Sequence, residues 1–137
     1  MKTKLNFKQI ITAGLMAGGV SAVINAILFY TFHTANVLVD TIYIQPNTPL
    51  TIAPIIISSI LPSSIGSIVF YFIEKYTSNG FKIFRNVSIV LVALSLVSPF
   101  TNIPNVTFGY AMVLNVMHIL VAGDLLYFIG KKVKATA

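Results

Sequence analysis

Residues 9–32 contain no Lys, Arg, Asp or Glu. As a helix this run would extend about 36 Å, and a bilayer core is about 30 Å thick. Two further stretches are long and apolar enough to cross, residues 52–73 and 108–129, and neither holds a Lys or Arg. A fourth, residues 82–100, is shorter in its uncharged part, so Lys82 and Arg85 must extend their charges to the interface if it spans. The chain therefore reads as an all-α membrane protein, a single transmembrane domain of four helices. With 56% hydrophobic and 9% charged residues and a mean hydropathy of +0.89, the 137 residues do not describe a water-soluble domain.

Basic residues fix the expected orientation. Lys2, Lys4 and Lys8 precede the first span, Lys75, Lys82 and Arg85 surround the connection between the second and third, and Lys131, Lys132 and Lys134 follow the fourth. No other Lys or Arg occurs. Four crossings put all three clusters on one side, and the positive-inside rule makes that side the cytoplasm, with both termini in it. The net charge of +6 is thereby explained by topology and anionic head groups, and no nucleic-acid partner is expected. Phe and Tyr gather near both sets of helix ends, as interfacial belts require.

The basic start followed by an apolar run resembles a signal peptide, but the run is too long for one, so the first helix is expected to be retained. Absence of cysteine excludes disulfides, thiol nucleophiles and cysteine metal sites. Asn105-Val106-Thr107 matches a glycosylation sequon, which has no meaning in a bacterial source. The outer connection after the first span is the longest. Its residues 37–45 partly alternate apolar and polar side chains before Pro46-Asn47-Thr48-Pro49, which predicts a short strand or hairpin. Asn79-Gly80 predicts an inner turn.

Lipid tails compete with protein for apolar side chains, so helices in a bilayer associate through small residues and interhelical hydrogen bonds. Gly14, Gly18, Ser21 and Asn25 follow the spacing i, i+4, i+7, i+11 and form one narrow seam on the first helix. That face should meet protein, in the same chain or in another copy. In the second helix Pro62 removes the hydrogen bond to the Ser58 carbonyl, predicting a kink unless neighbours compensate; Ser59, Ser63 and Gly66 share a face.

Counting inward from the outer ends, Asn25, Ser58 or Ser59, and Asn115 all lie about 10 Å deep, with Ser95 shallower. They form an expected polar layer. His118, one turn below Asn115, is expected to share its face and point into the bundle, because lipid would leave both unsatisfied. The two readings are a hydrogen-bonded network that sets helix register, and an outward-open polar cavity lined by Asn25, Ser59, Asn115 and His118 that binds a small solute or a proton. Asp124 lies about 120° round the helix from His118, so the two do not pair along one face. Its expected role is an anchor to Lys131, Lys8 or Lys75 at the inner edge, with proton or ion handling as the alternative. His33 and His118 differ in depth by about 15 Å, which suits two haem ligands poorly, and no cofactor or metal is expected. No carboxylate pair or Ser/His/Asp arrangement can be built from the spacing, so enzymatic activity is not expected.

Three short stretches carry a resemblance: "VLVD" at residues 37–40, "LSLVSPF" at 94–100 and "MHILVA" at 117–122. With the four spans, they make the chain resemble a family of uncharacterised small bacterial four-helix membrane proteins. The resemblance covers nearly the whole chain and implies a bacterial inner-membrane protein of unassigned function, with His118 at the family's fourth-helix histidine. This chain is richer in Ile, Ser and Asn than the Ala- and Leu-rich members. The expected function is that of an accessory or self-associating bundle binding through the Gly14 to Asn25 seam, to a membrane-protein partner or a second copy. Its alternative is small-solute or proton binding or permeation through an outward-facing polar cavity at His118.

Overall fold

The computed structural model describes residues 4–136; Lys2 of the amino-terminal basic cluster lies outside the described residues. The elements run α1 (Phe7–Thr34), β1 (Tyr43–Gln45), β2 (Thr48–Pro49), α2 (Ile52–Tyr76), α3 (Gly80–Ser95), α4 (Ser98–Asn102) and α5 (Phe108–Ala135). Four helical stretches are long and apolar enough to cross a membrane: α1, α2, α5, and α3 with α4 taken together as Gly80–Asn102.

Local chemistry sets the ends. Asn6 caps α1 by accepting from the Gln9 backbone N–H at 2.8 Å, while the Gln9 side chain accepts from the Asn6 N–H at 3.0 Å. This reciprocal pair satisfies two of the donors a helix start leaves free. Thr107 caps α5 from one side only, accepting from the Tyr110 N–H at 3.3 Å. Asn36, Asn47 and Asn105 have φ of 56°, the left-handed region that asparagine tolerates better than most residues. They sit just after α1, in the strand turn and before α5, so each reverses the chain.

The expected strand is present but later and shorter than residues 37–45. β1 pairs antiparallel with β2 around Pro46-Asn47, with Tyr43 opposite Pro49. Residues 37–42 form turns instead, and Leu38, Ile42 and Leu50 plug the outer end of the bundle with Phe29, Ile55, Tyr110, Val113 and Met117. The third span also departs from one continuous helix. Pro99 cannot donate to the Ser95 carbonyl, and the chain turns at Leu96–Val97 before the one-turn α4. In α2, by contrast, the helix is unbroken through Pro62, whose ring lies on the exposed face.

α1 packs along α2 and α5, and α3 lies against the same two helices from the other side. α3 is the peripheral one: 11% of its apolar window is buried, against 44% for α1. Polarity is inverted relative to a soluble bundle. Ser21, Ser59, Ser63 and Ser67 are fully buried, whereas Val23, Ile27, Ile57, Leu61, Val90, Leu91 and Leu94 are exposed. Such an apolar surface is unfavourable in water and neutral in lipid. The molecule is a multi-pass membrane protein.

The small-residue seam lies inside the chain. A Cβ on Gly18 would stand 2.9 Å from the Ile60 Cα and 3.3 Å from the Ser63 Cβ, and one on Gly14 would stand 2.9 Å from the Ser63 carbonyl oxygen. α1 and α2 thus approach to backbone contact along Gly14 and Gly18, leaving no room there for a second copy. Of the two neighbours left open for this seam, the same chain supplies one: Gly14 and Gly18 pack on α2.

The first and last described segments meet at one end of the bundle. Leu5, Ile10, Phe70, Phe84, Leu125 and Ile129 form a single apolar cluster there, and Lys4 Nζ donates to the Lys75 carbonyl at 3.0 Å. All described basic residues lie at that end and the strand pair at the other.

Candidate functional site

The half of the bundle nearer the strand pair contains a groove between α2 and α5. It has a volume of about 210 Å³ and is lined by Asn25, Ser58 and His118, with an apolar wall that includes Ile44, Leu50 and Met117. His118 lies ten residues into α5, about 15 Å from the start of that helix, so the groove lies within the membrane-spanning length. A larger hollow of about 320 Å³ lies among Tyr43, Gln45, Asn47, Asn102 and Asn105 of the outer connections, and contains none of the residues expected from sequence.

Asn25 floors the groove at 2% exposure. Its amide orientation follows from its neighbours. The Met117 carbonyl, 3.5 Å from Nδ2, can only accept, and the Ser59 hydroxyl, 3.0 Å from Nδ2, gives its own proton to the Ile55 carbonyl at 2.8 Å. Nitrogen must therefore face both, which leaves Oδ1 buried with no hydrogen-bond partner. An unsatisfied buried acceptor costs about 1–3 kcal/mol. The expected Asn25–Ser59 association is present, with a residual acceptor at its free side.

His118 does not point into the bundle. The residue is exposed, and its Nδ1 donates to the Leu114 carbonyl one turn back at 2.9 Å. That bond, made on its own helix, removes the reason for turning inward: one polar atom of the ring is satisfied without a neighbouring helix. Because a carbonyl only accepts, Nδ1 carries the hydrogen, and in the neutral ring Nε2 is a bare acceptor. Ser58 is alike in this respect. Its hydroxyl donates to the Ile55 carbonyl at 3.1 Å and keeps only lone pairs for a ligand.

The expected four-helix polar layer is split. Asn115 is buried but turned away from His118, donating from Nδ2 to the Leu96 carbonyl at 3.0 Å and so tying the outer end of α3 to α5. Ser95 binds the Val92 carbonyl of its own helix. The face shared by Asn115 and His118 on a helical wheel is divided by what packs beside each: α3 on one side, the groove on the other.

Asp124 also differs from expectation. Among the described residues no Lys lies within ion-pair distance of it, and the one carboxylate pair is His33 Nε2 with Asp40 Oδ1 at 3.1 Å, exposed on the loop after α1. Asp124 instead accepts from the Ser21 hydroxyl at 2.7 Å, across the α1–α5 interface. Ser21 is the midpoint of α1, and α5 continues beyond residue 129 to Ala135, so the carboxyl group sits deeper than its place in the sequence implied. The cationic anchor does not form because the lysines lie more than a helical turn nearer the end.

Tyr110 is a functional candidate that sequence reasoning missed. It is fully buried and its hydroxyl has no partner. Its position three residues inside α5 looks like that of any belt aromatic, so nothing in the sequence distinguished it. Among the described residues no cluster of three metal-ligating side chains occurs.

No curated protein and no solved structure matches the chain. Residues 6–135 match the family of unknown function DUF6069, which spans all four membrane-crossing stretches and the outer groove alike. The small four-helix membrane protein described above belongs to that family.

Proposed function

We propose that this protein is a membrane-embedded binding protein whose α2–α5 groove receives the head of an amphipathic molecule from the outer leaflet. The observation that carries the reading is the Asn25 Oδ1, buried and unpartnered on the floor of a groove that also holds His118. Asn115 Oδ1 and the Tyr110 hydroxyl are also buried without a partner, but neither residue lines the groove; at membrane depth water is scarce and a missing bond is costly. A volume of about 210 Å³ is below the roughly 300 Å³ of typical small-molecule pockets, which favours a head group whose apolar tail stays in the bilayer.

Binding rather than catalysis fits the placement of the polar groups. His118 is hydrogen-bonded to a carbonyl rather than to a carboxylate, and Asp124 lies on another face of α5 against Ser21. In this reading both termini are cytoplasmic by the positive-inside rule, and the membrane is the bacterial inner membrane that the sequence resemblance implies. An accessory or self-associating role is disfavoured by the burial of Gly14 and Gly18 against α2.

The chain contains two histidines, so histidine-selective ¹⁵N labelling yields two imidazole environments. In lipid nanodiscs, titration with decanol is expected to shift the His118 signal saturably and leave His33 unchanged. A linear drift of both signals, as partitioning into the lipid produces, would count against the groove.

A further inference from the structure

The three polar side chains of the groove have one property in common. Asn25 leaves Oδ1 without a partner beneath the groove surface, its nitrogen being engaged by Ser59 and Met117. His118 presents Nε2, its Nδ1 hydrogen being held by Leu114. Ser58 presents hydroxyl lone pairs, its hydrogen being held by Ile55. A fourth acceptor lies close by, because Pro62 has no N–H to give the Ser58 carbonyl, and the nearby hydroxyls of Ser63, Ser64 and Ser67 bind the Ser59, Ile60 and Ser64 carbonyls instead. Among the residues that line the groove no side chain keeps a free hydrogen to donate.

From this polarity we infer that the groove selects an uncharged hydroxyl-bearing amphipath, in which the ligand donates to His118 Nε2 and Ser58 Oγ above the unpartnered Asn25 Oδ1. The inference rests on the groove reading above and names the class of ligand. Ethers, ketones and esters bring only acceptors and would face lone pairs with lone pairs. An ammonium head would donate, but no carboxylate lines the groove to balance its charge: Asp40 pairs with His33, Asp124 faces Ser21, and neither these nor Glu74 is among the lining residues. An uncompensated cation at this depth is costly. A neutral alcohol supplies the donor without the charge.

The test uses the full chain in nanodiscs with ¹⁵N-histidine detection and three probes of equal tail: decanol, decyl methyl ether and decylamine. The alcohol is expected to saturate the His118 signal at about tenfold lower concentration than the ether, the ratio that one satisfied buried acceptor produces. Decylamine is expected to bind more weakly than the alcohol. Saturation by ether and alcohol at equal concentration overturns the donor inference while leaving the groove in place, as does preference for the amine. Absence of saturation with every probe overturns the groove reading itself. The comparison is made in the wild-type protein, so no variant has to fold for it to be decided; Ser58→Ala, at an exposed position, is expected to narrow the alcohol-to-ether ratio.

Discussion

The Ser21 hydroxyl donates to Asp124 Oδ2 at 2.7 Å, joining the midpoint of α1 to α5 within the bilayer span. Interhelical hydrogen bonds in membrane proteins average about 0.6 kcal/mol, with an upper range near 1.7, because the separated helices find other partners. Ser21→Ala is therefore expected to destabilise the bundle by about 0.5–1.5 kcal/mol in reversible detergent unfolding. Asp124→Asn, which keeps an acceptor oxygen, is expected to lose less than Asp124→Leu. Equal stability of Ser21→Ala and wild type would remove this bond from the account of the fold.

Two adjacent glycines in α1 offer a controlled comparison. A Cβ at Gly18 meets the Ile60 backbone at 2.9 Å, while one at Gly19 meets nothing within 4 Å. Gly18→Ala should force α1 and α2 apart and cost about 1–3 kcal/mol, as overpacking does. Gly19→Ala should be neutral or stabilising by up to about 1 kcal/mol, since alanine is the better helix former. Matching unfolding midpoints for the two variants would show that the seam is not a close helix contact.

Asn115 joins the outer end of α3 to α5 through the Leu96 carbonyl, just before the α4 turn. Because α3 is otherwise sparsely buried, Asn115→Leu is expected to loosen this end locally, raising amide hydrogen exchange in Ser98–Asn102 more than in α1. Unchanged exchange at α4 would mean that proline geometry alone holds the turn.

The chain has no cysteine, so single introduced thiols report sidedness without background. Asn47→Cys, in the strand turn, is expected to react with an impermeant maleimide on intact cells or spheroplasts. Lys134→Cys is expected to react only after permeabilisation. Reversed labelling would invert the orientation and move the groove to the inner leaflet.

Much of the fold was legible because a bilayer imposes it. Uncharged runs of about 20 residues have few alternatives to crossing as helices, and segregation of the lysines left one consistent threading. The seam was equally visible, since Gly14, Gly18 and Ser21 recur at helical spacing whatever they meet. The strand was harder to place: alternation at residues 37–42 reflected apolar side chains plugging the bundle from irregular backbone, not a paired strand.

The site was legible residue by residue but not in its assembly. Asn25 and Ser59 were expected to meet and do. His118 was expected to turn inward, yet a carbonyl four residues back satisfied Nδ1 and freed the ring to line the groove. Asp124 was assigned to lysines near in sequence, but its partner was a serine on the far side of an interface.

Sequence alone determined that four apolar stretches cross a membrane, which end carries the positive charge and which residues are polar within the span. Those properties follow from transfer free energies, which depend on each segment's own composition. Tertiary structure decided which polar atoms are satisfied and which are left over, because hydrogen bonding depends on the neighbour that packing supplies. The unmet oxygen of Asn25 exists only because Ser59 and Met117 occupy its nitrogen.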